Sequence, residues 1–483
     1  MISKQFFKSS VIYSVVGALP YVSGVILIPF FAAHLTPQQF GVNVLYFTMM
    51  SFFQILAGFG MDAFIGIYYF EYKGKTERMR ELMGTILLFS LTIGVSLIFL
   101  TSIAGPFAFR MLWPGNIGLD FFPFGMFTVI SAISYAFFKA YTSLLIYQQR
   151  VERFFWMSIL NFILTIAVSL IILHAFPYTL YGPILGRLLP ALLSMVICLV
   201  LMNREFGFSM DKTQSRLLLS FCIPVVINSL LIWVVNNIDR FLISHFIVDT
   251  AFVGIFDIAV KITLVMELIQ TGIANTMNPK IYGIWKEKNI SESTVEVNRY
   301  YNGFTALTLL VIPLILIAAP LLIPVVIKKQ VYYEAIQYLP LLCLGFATRG
   351  WFYMFQAPIY YFKRTRSLPK LFLISACFQL IASTLLIKYF GLPGAVWANF
   401  LVKPIQALLL YSESRKFFRF NFNRWKIVYL PVIFIIVGLI CELLAKESTR
   451  LIIEVIQFII MSCLVFFVYR NEVIPLIRKR INY

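Results

Sequence analysis

The sequence predicts an all-α polytopic membrane protein with about fourteen transmembrane helices. Of its 483 residues, 60% are hydrophobic and only 13% are charged, whereas a soluble domain averages about 25% charged residues. A helix that crosses a bilayer needs about 20 consecutive, mostly apolar residues, and the chain contains about fourteen such runs. Composition and the length of the apolar runs therefore predict the fold class before any motif is considered.

The apolar runs fix the order of the predicted helices, and the polar stretches between them fix the boundaries. The spans, in chain order, are 9–34, 39–70, 82–104, 121–147, 154–175, 179–202, 217–239, 250–277, 302–326, 335–361, 371–389, 394–412, 427–445 and 451–469. The polar segment 280–302, between the eighth and ninth spans, is expected to lie on the membrane surface.

A polar break at 203–216 separates two sets of spans that resemble each other. Landmark residues recur across the break at offsets of 211–214 positions: Gly41 and Gly254, Gly182 and Gly394, Pro190 and Pro404, and His34 and His245. Internal repeats around a central site are a common architecture of secondary transporters. The predicted organisation is a six-helix N-terminal lobe, a cytoplasmic linker, a six-helix C-terminal lobe, and two added helices with a cytoplasmic tail, at 1–203, 204–216, 217–412 and 413–483.

The distribution of basic residues predicts the orientation of the chain in the membrane. Of the 40 Lys and Arg residues, 7 lie in, or within two residues of, the loops that join odd to even spans, and 28 lie in the termini and the other loops. Because Lys and Arg concentrate in cytoplasmic loops, both termini are predicted to be cytoplasmic. The same bias accounts for the formal net charge of +19 without a nucleic-acid partner.

Motifs of enzymes and of nucleotide or metal sites are missing from the sequence. The chain has three histidines, no HExxH sequence and no Walker loop. The residues 58–63 match GxGxxA but lie in a membrane span with no βαβ context. We therefore expect no enzymatic activity, no cofactor and no metal, and transport that is passive or driven by a gradient of H+ or Na+.

Basic residues inside the apolar runs are the first candidates for function. A charge at the bilayer centre costs about 2.5–3.5 kcal/mol, so it usually faces a bundle interior or a water-filled cavity. The residues that we interpret as substrate-binding cavity cations are Lys139, Arg187, Lys261, Arg349 and Lys403. Three of them, Arg187, Arg349 and Lys403, have no acidic residue within one helical turn in the sequence. Such cations favour an anionic substrate, since Arg forms strong paired hydrogen bonds with phosphate.

Acidic residues inside the spans are the candidates for coupling transport to an ion. They are Asp62 on span 2 and Asp257 and Glu267 on span 8, while Asp239 lies at the outer end of span 7. Asp257 and Lys261 are four residues apart on one predicted helix, so a structural ion pair is the alternative interpretation for both.

Three stretches of the sequence carry a resemblance to a known family: IPFFAAHLTPQQFGVNVLYF at 28–47, the segment 236–262, and the segment 363–401. With them, the chain resembles the bacterial Wzx-type polysaccharide flippases. These translocate O-antigen and capsule repeat units and belong to the multidrug/oligosaccharidyl-lipid/polysaccharide exporter (MOP) superfamily. The resemblance implies a V-shaped, MATE-like pair of six-helix lobes around a central cavity. It also implies an undecaprenyl-pyrophosphate-linked oligosaccharide as substrate and a location in the bacterial cytoplasmic membrane, in contact with membrane lipids. A polysaccharide polymerase and a chain-length regulator are the implied protein partners.

Two other functions stay open beside the flippase. A MATE-like cation or drug antiporter is expected to hold acidic residues at the centre of its cavity, notably in helix 1, and helix 1 has none here. A membrane enzyme of glycan assembly that acts outside the cell is expected to need polar external loops. The predicted external loops are short and poor in carboxylates, so the sequence favours the flippase over both.

Overall fold

The computed structural model describes residues 13, 16–17, 19–113, 118–288, 290–444 and 450–470. Within these residues the chain is helical, with short 3-10 and π segments and no strand. Nine helices in this part of the chain are long and apolar enough to cross a membrane. The predicted class of an all-α polytopic membrane protein is confirmed.

The helices follow one another in the order that the apolar runs predict. Those in the first half are α1 (Leu19–Ile26), α2 (Ile28–His34), α3 (Pro37–Gly58), α4 (Met61–Tyr72), α5 (Thr76–Leu112), α6 (Met126–Tyr147), α7 (Val151–Ala175) and α8 (Tyr181–Phe206). A π segment, Phe121–Gly125, leads into α6.

The second half begins with three long helices. Its helices are α9 (Lys212–Phe246), α10 (Ala251–Glu287), α11 (Ile290–Val326), α12 (Leu339–Leu344), α13 (Arg349–Tyr361), α14 (Leu368–Phe390), α15 (Leu392–Ser414), α16 (Leu430–Leu444) and α17 (Arg450–Val468). The 3-10 segments are Gln330–Tyr338, Gly345–Thr348 and Thr365–Ser367, and a π segment, Trp425–Tyr429, precedes α16.

Local sequence explains where α3 begins and ends. The Thr36 hydroxyl accepts a hydrogen bond from the Gln39 backbone N–H, and the Gln39 side chain accepts one from the Thr36 backbone N–H, at 3.2 and 3.0 Å. This capping box satisfies two N–H groups that have no partner inside the helix, and Pro37 at the first helical position has no N–H to satisfy. Gly60, at φ +70°, separates α3 from α4, so the predicted span 39–70 consists of two helices.

The segment 280–302 differs from the prediction. Instead of a separate segment on the membrane surface, its described residues continue α10 as far as Glu287 and begin α11 at Ile290. The apolar run sets only the part of a helix that lies in hydrocarbon. Beyond it, each added residue of a formed helix gains a backbone hydrogen bond, so polar residues extend the helix.

The predicted span 335–361 is also interrupted. The 3-10 segment Gly345–Thr348 separates α12 from α13, and 3-10 stretches of this kind often mark a hinge or strain. A Cβ atom on Gly345 would lie 2.9 Å from the Lys403 Cδ atom. The absence of a side chain at Gly345 therefore lets the Lys403 side chain of α15 approach the backbone at this interruption.

Residue contacts divide the chain into two compact units. The first extends to Trp233 and includes Ile247–Gly254, and the second comprises Val234–Phe246 and the chain from Ile255 onward. Within the first unit, Asn161 donates a buried hydrogen bond of 2.9 Å to Ser194, which joins α7 to α8.

The second unit also satisfies buried polar groups internally. Gln270 of α10 donates hydrogen bonds to the Thr308 hydroxyl of α11 and to the Phe346 carbonyl, at 3.2 and 3.1 Å. These bonds tie the 3-10 interruption to two neighbouring helices, as expected where buried polar groups find partners.

Two of the repeated landmarks, Gly41 and Gly254, lie against each other within the first unit. A Cβ atom on Gly41 would lie 1.8 Å from the Thr250 carbonyl oxygen, and one on Gly254 would lie 2.7 Å from Cδ1 of Phe40. The Thr250 hydroxyl donates a hydrogen bond of 3.0 Å to the Gln38 carbonyl. The start of α3 and the chain that leads into α10 are therefore in direct backbone contact, which only glycine permits at position 41.

Candidate functional site

Two charged side chains within the predicted spans of the first unit form a solvent-exposed ion pair. Lys139 on α6 and Asp62 on α4 lie with Nζ and Oδ2 2.8 Å apart, and 60% and 31% of these side chains are exposed. Because a charge in contact with lipid is costly, we expect this pair to face water. A salt bridge with such exposure contributes about 0–1 kcal/mol to stability.

Arg187 on α8 lies against aromatic rings. Its guanidinium carbon is 4.2 Å from the centroid of the Phe47 ring and 5.8 Å from that of Phe31. Contacts of this type contribute about 0.5–2 kcal/mol, depending on how far the cation is desolvated. The rings belong to α3 and α2, so spacing along α8 could not reveal them.

In the second unit, Asp257 of α10 lies between two cations. Its Oδ1 accepts hydrogen bonds of 2.9 Å from Nε and Nη2 of Arg240 on α9, and its Oδ2 lies 2.7 Å from Lys261 Nζ. The Arg240 and Asp257 side chains are only 8% and 4% exposed. The pair that the four-residue spacing predicts is present, Arg240 is an additional partner, and one positive charge remains in excess.

Arg349 begins α13 directly after the 3-10 interruption. Its Nη2 lies 3.3 Å from Oε1 of Glu267 on α10, and its guanidinium carbon lies 4.7 Å from the Phe352 ring centroid. The Arg349 Nε group is buried and has no hydrogen-bond partner. Glu267 precedes Arg349 by 82 residues, so the sequence within one helical turn of Arg349 does not contain this partner.

Lys403 of α15 is held by an amide. Its ammonium group donates to the Asn399 backbone carbonyl at 3.0 Å and to the Asn399 side-chain oxygen, and it lies 4.9 Å from the Phe346 ring centroid. Among the described residues, no carboxylate lies within salt-bridge distance of it. Arg349 and Glu267 are close enough for their charges to act on the Lys403 ammonium group.

Asp239 of α9 is a buried carboxylate that the coupling candidates did not include. Its side chain is fully buried, and its Oδ1 accepts hydrogen bonds from Gln379 and Ser383 of α14 at 2.8 and 2.5 Å. Its Oδ2 has no hydrogen-bond partner, although Asn399 is close enough to interact with the carboxylate. The available sequence signal was the spacing of Gln379 and Ser383, two polar residues four positions apart in a mostly apolar helix.

Each acidic candidate predicted from the sequence is therefore paired with a cation in this structure. The second unit holds Lys261, Arg349 and Lys403 with Asp257 and Glu267, whereas the first unit holds Lys139, Arg187 and Asp62. Asp239 differs from these acids because its hydrogen bonds come from neutral side chains, while the charges of Arg240 and Lys403 act on it from beyond salt-bridge distance. Among the described residues, no group of three or more His, Cys, Asp or Glu side chains is arranged to hold a metal ion.

Comparison with known proteins identifies a family and a fold. A family model described as polysaccharide biosynthesis protein matches residues 6–282, which is more than half of the chain. No curated protein matches the sequence.

Several solved structures share the fold. The lipid II flippase MurJ in an inward closed conformation aligns with a TM-score of 0.69 and 13% identity, over 95% of this chain and 99% of that one. An inward-facing multidrug resistance transporter of the MATE family and MOP superfamily aligns with a TM-score of 0.65 and 17% identity, over 81% and 93%. A MOP superfamily transporter from Pyrococcus furiosus, described as having a binding pocket of reverse polarity, aligns with a TM-score of 0.57 and 15% identity, over 86% and 95%. At these identities the likeness establishes the fold alone, and it is the MATE-like fold that the resemblance implied.

Proposed function

Because the chain belongs to the polysaccharide biosynthesis protein family, we propose that it flips an undecaprenyl-pyrophosphate-linked oligosaccharide across the bacterial cytoplasmic membrane. Its product supplies the assembly of a surface polysaccharide, and it works by alternating access. The family description supports a saccharide cargo, and a fold shared with a lipid II flippase supports a lipid-linked one. The bias of basic residues toward alternate loops supports cytoplasmic termini, and a polymerase and chain-length regulator are the expected partners.

The observation that carries this proposal is the pair of cations Arg349 and Lys403 in the second unit. A lipid pyrophosphate brings two or more negative charges into a low-dielectric site, where charge pairing is stronger than in water. Arg349 offers a planar fork with a buried Nε that has no hydrogen-bond partner. Lys403 offers a charge that has no carboxylate of the described residues within salt-bridge distance, while Glu267 and Asp239 act on it from farther away. Each charge-assisted hydrogen bond to phosphate would contribute about 1.5–3 kcal/mol.

The five predicted cavity cations then have unequal roles. Lys139 and Lys261 each contact a carboxylate at 2.8 and 2.7 Å, so we assign them a structural or weak electrostatic contribution. Arg187, which stacks on Phe47, is the third anion-binding candidate and the one that the first unit supplies.

Coupling to an ion gradient is assigned to Asp239 rather than to Asp62, Asp257 or Glu267. A buried carboxylate is costly unless a proton or a cation neutralises it, and the three acids predicted from the sequence already contact Lys or Arg. Asp239 has only neutral hydrogen-bond donors, Gln379 and Ser383. The charges of Arg240 and Lys403 act on the Asp239 carboxylate without a hydrogen bond to it, and a proton or a monovalent cation taken up at Asp239 would bind the carboxylate directly.

Deletion of the protein tests the proposed function. In the source bacterium, loss of the chain should stop the appearance of surface polymer and leave lipid-linked repeat units accumulating on the cytoplasmic side of the membrane. The measurement is surface polymer together with extracted lipid-linked oligosaccharide, and re-expression of the wild-type chain is the control. Surface polymer that persists with altered chain length would instead favour a polymerase. Normal polymer with a gain in sensitivity to cationic drugs would favour an antiporter.

Asp239→Asn tests the coupling assignment. The amide keeps the size of the side chain but cannot exchange a proton or attract a cation, so export should fall at least about tenfold if coupling drives transport, since one buried ionic contact corresponds to more than 1.4 kcal/mol. The measurement is surface polymer normalised to membrane-inserted protein, with Asp62→Asn as the matched control. If Asp239→Asn exports polymer at the wild-type level, the assignment of ion coupling to Asp239 is wrong. The anion-binding proposal would be unaffected.

A further inference from the structure

An open cleft lies in the second unit where the chain that follows α15 contacts α10 and α11. Trp285 of α10, Asn298 and Tyr301 of α11, and Arg419 and Asn421 of the connecting segment line it, and it is open to solvent on one side. The cleft lies at the loops that join span 8 to span 9 and span 12 to span 13. Loops that join even to odd spans are rich in Lys and Arg, so the cleft is predicted to be cytoplasmic. The anion-binding residues of the proposed function do not line it.

Packed aromatic rings fix one wall of the cleft. The ring centroids of Trp285 and Phe418 are 5.3 Å apart, and those of Phe418 and Phe420 are 4.8 Å apart. Asn298 donates a hydrogen bond of 2.9 Å to the Asn421 carbonyl, which ties the connecting segment to α11. The wall is therefore held in place by the protein itself. Aromatic faces carry partial negative charge, which suits the C–H faces of a pyranose ring.

The polar groups of the cleft are mostly neutral. The amides of Asn298 and Asn421 both donate and accept hydrogen bonds, as sugar hydroxyl groups do, and Arg419 is the one charged side chain among the lining residues. A site for a phosphate group would be expected to gather several Arg or Lys side chains. The combination of aromatic rings, amides and a single Arg fits a saccharide better than a phosphate.

Tyr301 supplies an independent sign of a ligand. It lines the cleft and is 5% exposed, yet its buried hydroxyl oxygen has no hydrogen-bond partner. A buried hydroxyl without a partner is destabilising, and phenylalanine would fill the same space without that cost. A ligand hydroxyl that reaches this oxygen, after a small shift of the lining side chains, would supply the missing partner.

We infer that this cleft is a saccharide-binding site that engages sugar residues of the cargo on the cytoplasmic side, separately from the cations that bind its pyrophosphate. The inference rests on the proposed function, because that function supplies a glycan at this face of the membrane. It assigns recognition of the sugar to the junction of α10, α11 and the segment 418–422, and it assigns recognition of the pyrophosphate to Arg349 and Lys403.

The test uses the purified full-length chain and two lipids. One is the lipid-linked oligosaccharide that accumulates in cells lacking this protein, and the other is undecaprenyl pyrophosphate, which has no sugar. Binding is followed by tryptophan fluorescence. Tyr301→Phe should weaken binding of the oligosaccharide lipid about 2- to 10-fold, the effect of one neutral hydrogen bond, and should leave binding of undecaprenyl pyrophosphate unchanged.

Tyr141→Phe is the matched control, because Tyr141 is 1% exposed, its hydroxyl also has no hydrogen-bond partner, and it belongs to the first unit and does not line the cleft. It should change neither affinity. Equal weakening of both lipids by Tyr301→Phe, or no change in either, would overturn the sugar site and leave the proposed function intact. A wild-type protein that binds neither lipid would overturn the proposed function, and the sugar site would fall with it.

Discussion

The two sets of spans carry the same landmarks but different buried chemistry. Counted from His34 and His245, Asp239 and Arg240 in the second set of spans correspond to Ile28 and Pro29 in the first; counted from Gly41 and Gly254, Asp257 and Lys261 correspond to Val44 and Thr48. The second unit therefore has four charged residues where the first has none. These four include the buried Arg240–Asp257 pair, whereas the side chains of Lys139 and Asp62, an ion pair within the spans of the first unit, are 60% and 31% exposed.

This difference shows that the repeat preserves backbone requirements rather than chemistry. Glycine recurs where the start of α3 and the chain leading into α10 touch, because any other residue would separate the two backbones. Charged side chains have diverged at equivalent positions, and the buried ones at these positions lie in the second unit. We therefore expect substitutions of buried charges in the second unit to have larger effects than matched substitutions in the first.

The largest expected effect is that of Asp257→Asn. It leaves Arg240 and Lys261, which are 8% and 19% exposed, without their shared carboxylate, and removal of one partner from a buried ion pair costs about 3–5 kcal/mol. The purified variant should unfold at a clearly lower temperature and accumulate less in the membrane. Asp62→Asn should cost about 0–1 kcal/mol, as for an exposed pair. Thermal unfolding of both purified variants checks this, and equal losses would remove the distinction between the two units.

A smaller effect is expected at the glycine pair. Gly41→Ala would place a methyl group 1.8 Å from the Thr250 carbonyl oxygen, which is backbone and cannot rotate away, whereas in Gly254→Ala the nearest atom belongs to the Phe40 ring, at 2.7 Å. Overpacking of this kind costs about 1–3 kcal/mol, so Gly41→Ala should be the more destabilising of the two.

Helix propensity provides an internal check on the glycine comparison. Both glycines lie inside helices, where alanine alone would stabilise by about 1 kcal/mol. Thermal unfolding of the two purified variants gives the sign directly. A rise in the unfolding temperature of Gly41→Ala would show that the contact with Thr250 does not constrain the folded protein.

The sequence was sufficient for the features that depend on residues near one another in the chain. Apolar run lengths predicted the helical membrane fold, and four-residue spacing predicted the contact between Asp257 and Lys261. The sequence could not predict ion-pair partners on other helices, such as Glu267 for Arg349 and Arg240 for Asp257. The predicted helix ends were wrong where a helix continues past the hydrocarbon, as at 280–302. Hydropathy identifies the residues that lie in the membrane, and a helix can extend beyond them.

Asp239 shows the same limit at the candidate site. In the sequence it is one acid at the end of a span, and its neutral donors Gln379 and Ser383 lie 140 and 144 residues away. Only the packing of α14 against α9 distinguishes Asp239 from the acids that are neutralised by a cation. The sequence alone predicted that charged residues lie within the spans. The structure was needed to choose Asp239 among the acidic ones.

The most direct test of the account is the affinity of the purified protein for undecaprenyl pyrophosphate in wild type, Lys403→Ala and Lys139→Ala. Lys403 has no carboxylate partner among the described residues, so its removal should leave the protein folded and weaken binding about 10- to 150-fold, the loss of one charge-assisted hydrogen bond. Lys139 is already paired with Asp62, and its removal should change the affinity by less than about threefold. Wild-type affinity in Lys403→Ala, or equal losses in the two variants, would contradict the assignment of pyrophosphate binding to the second unit.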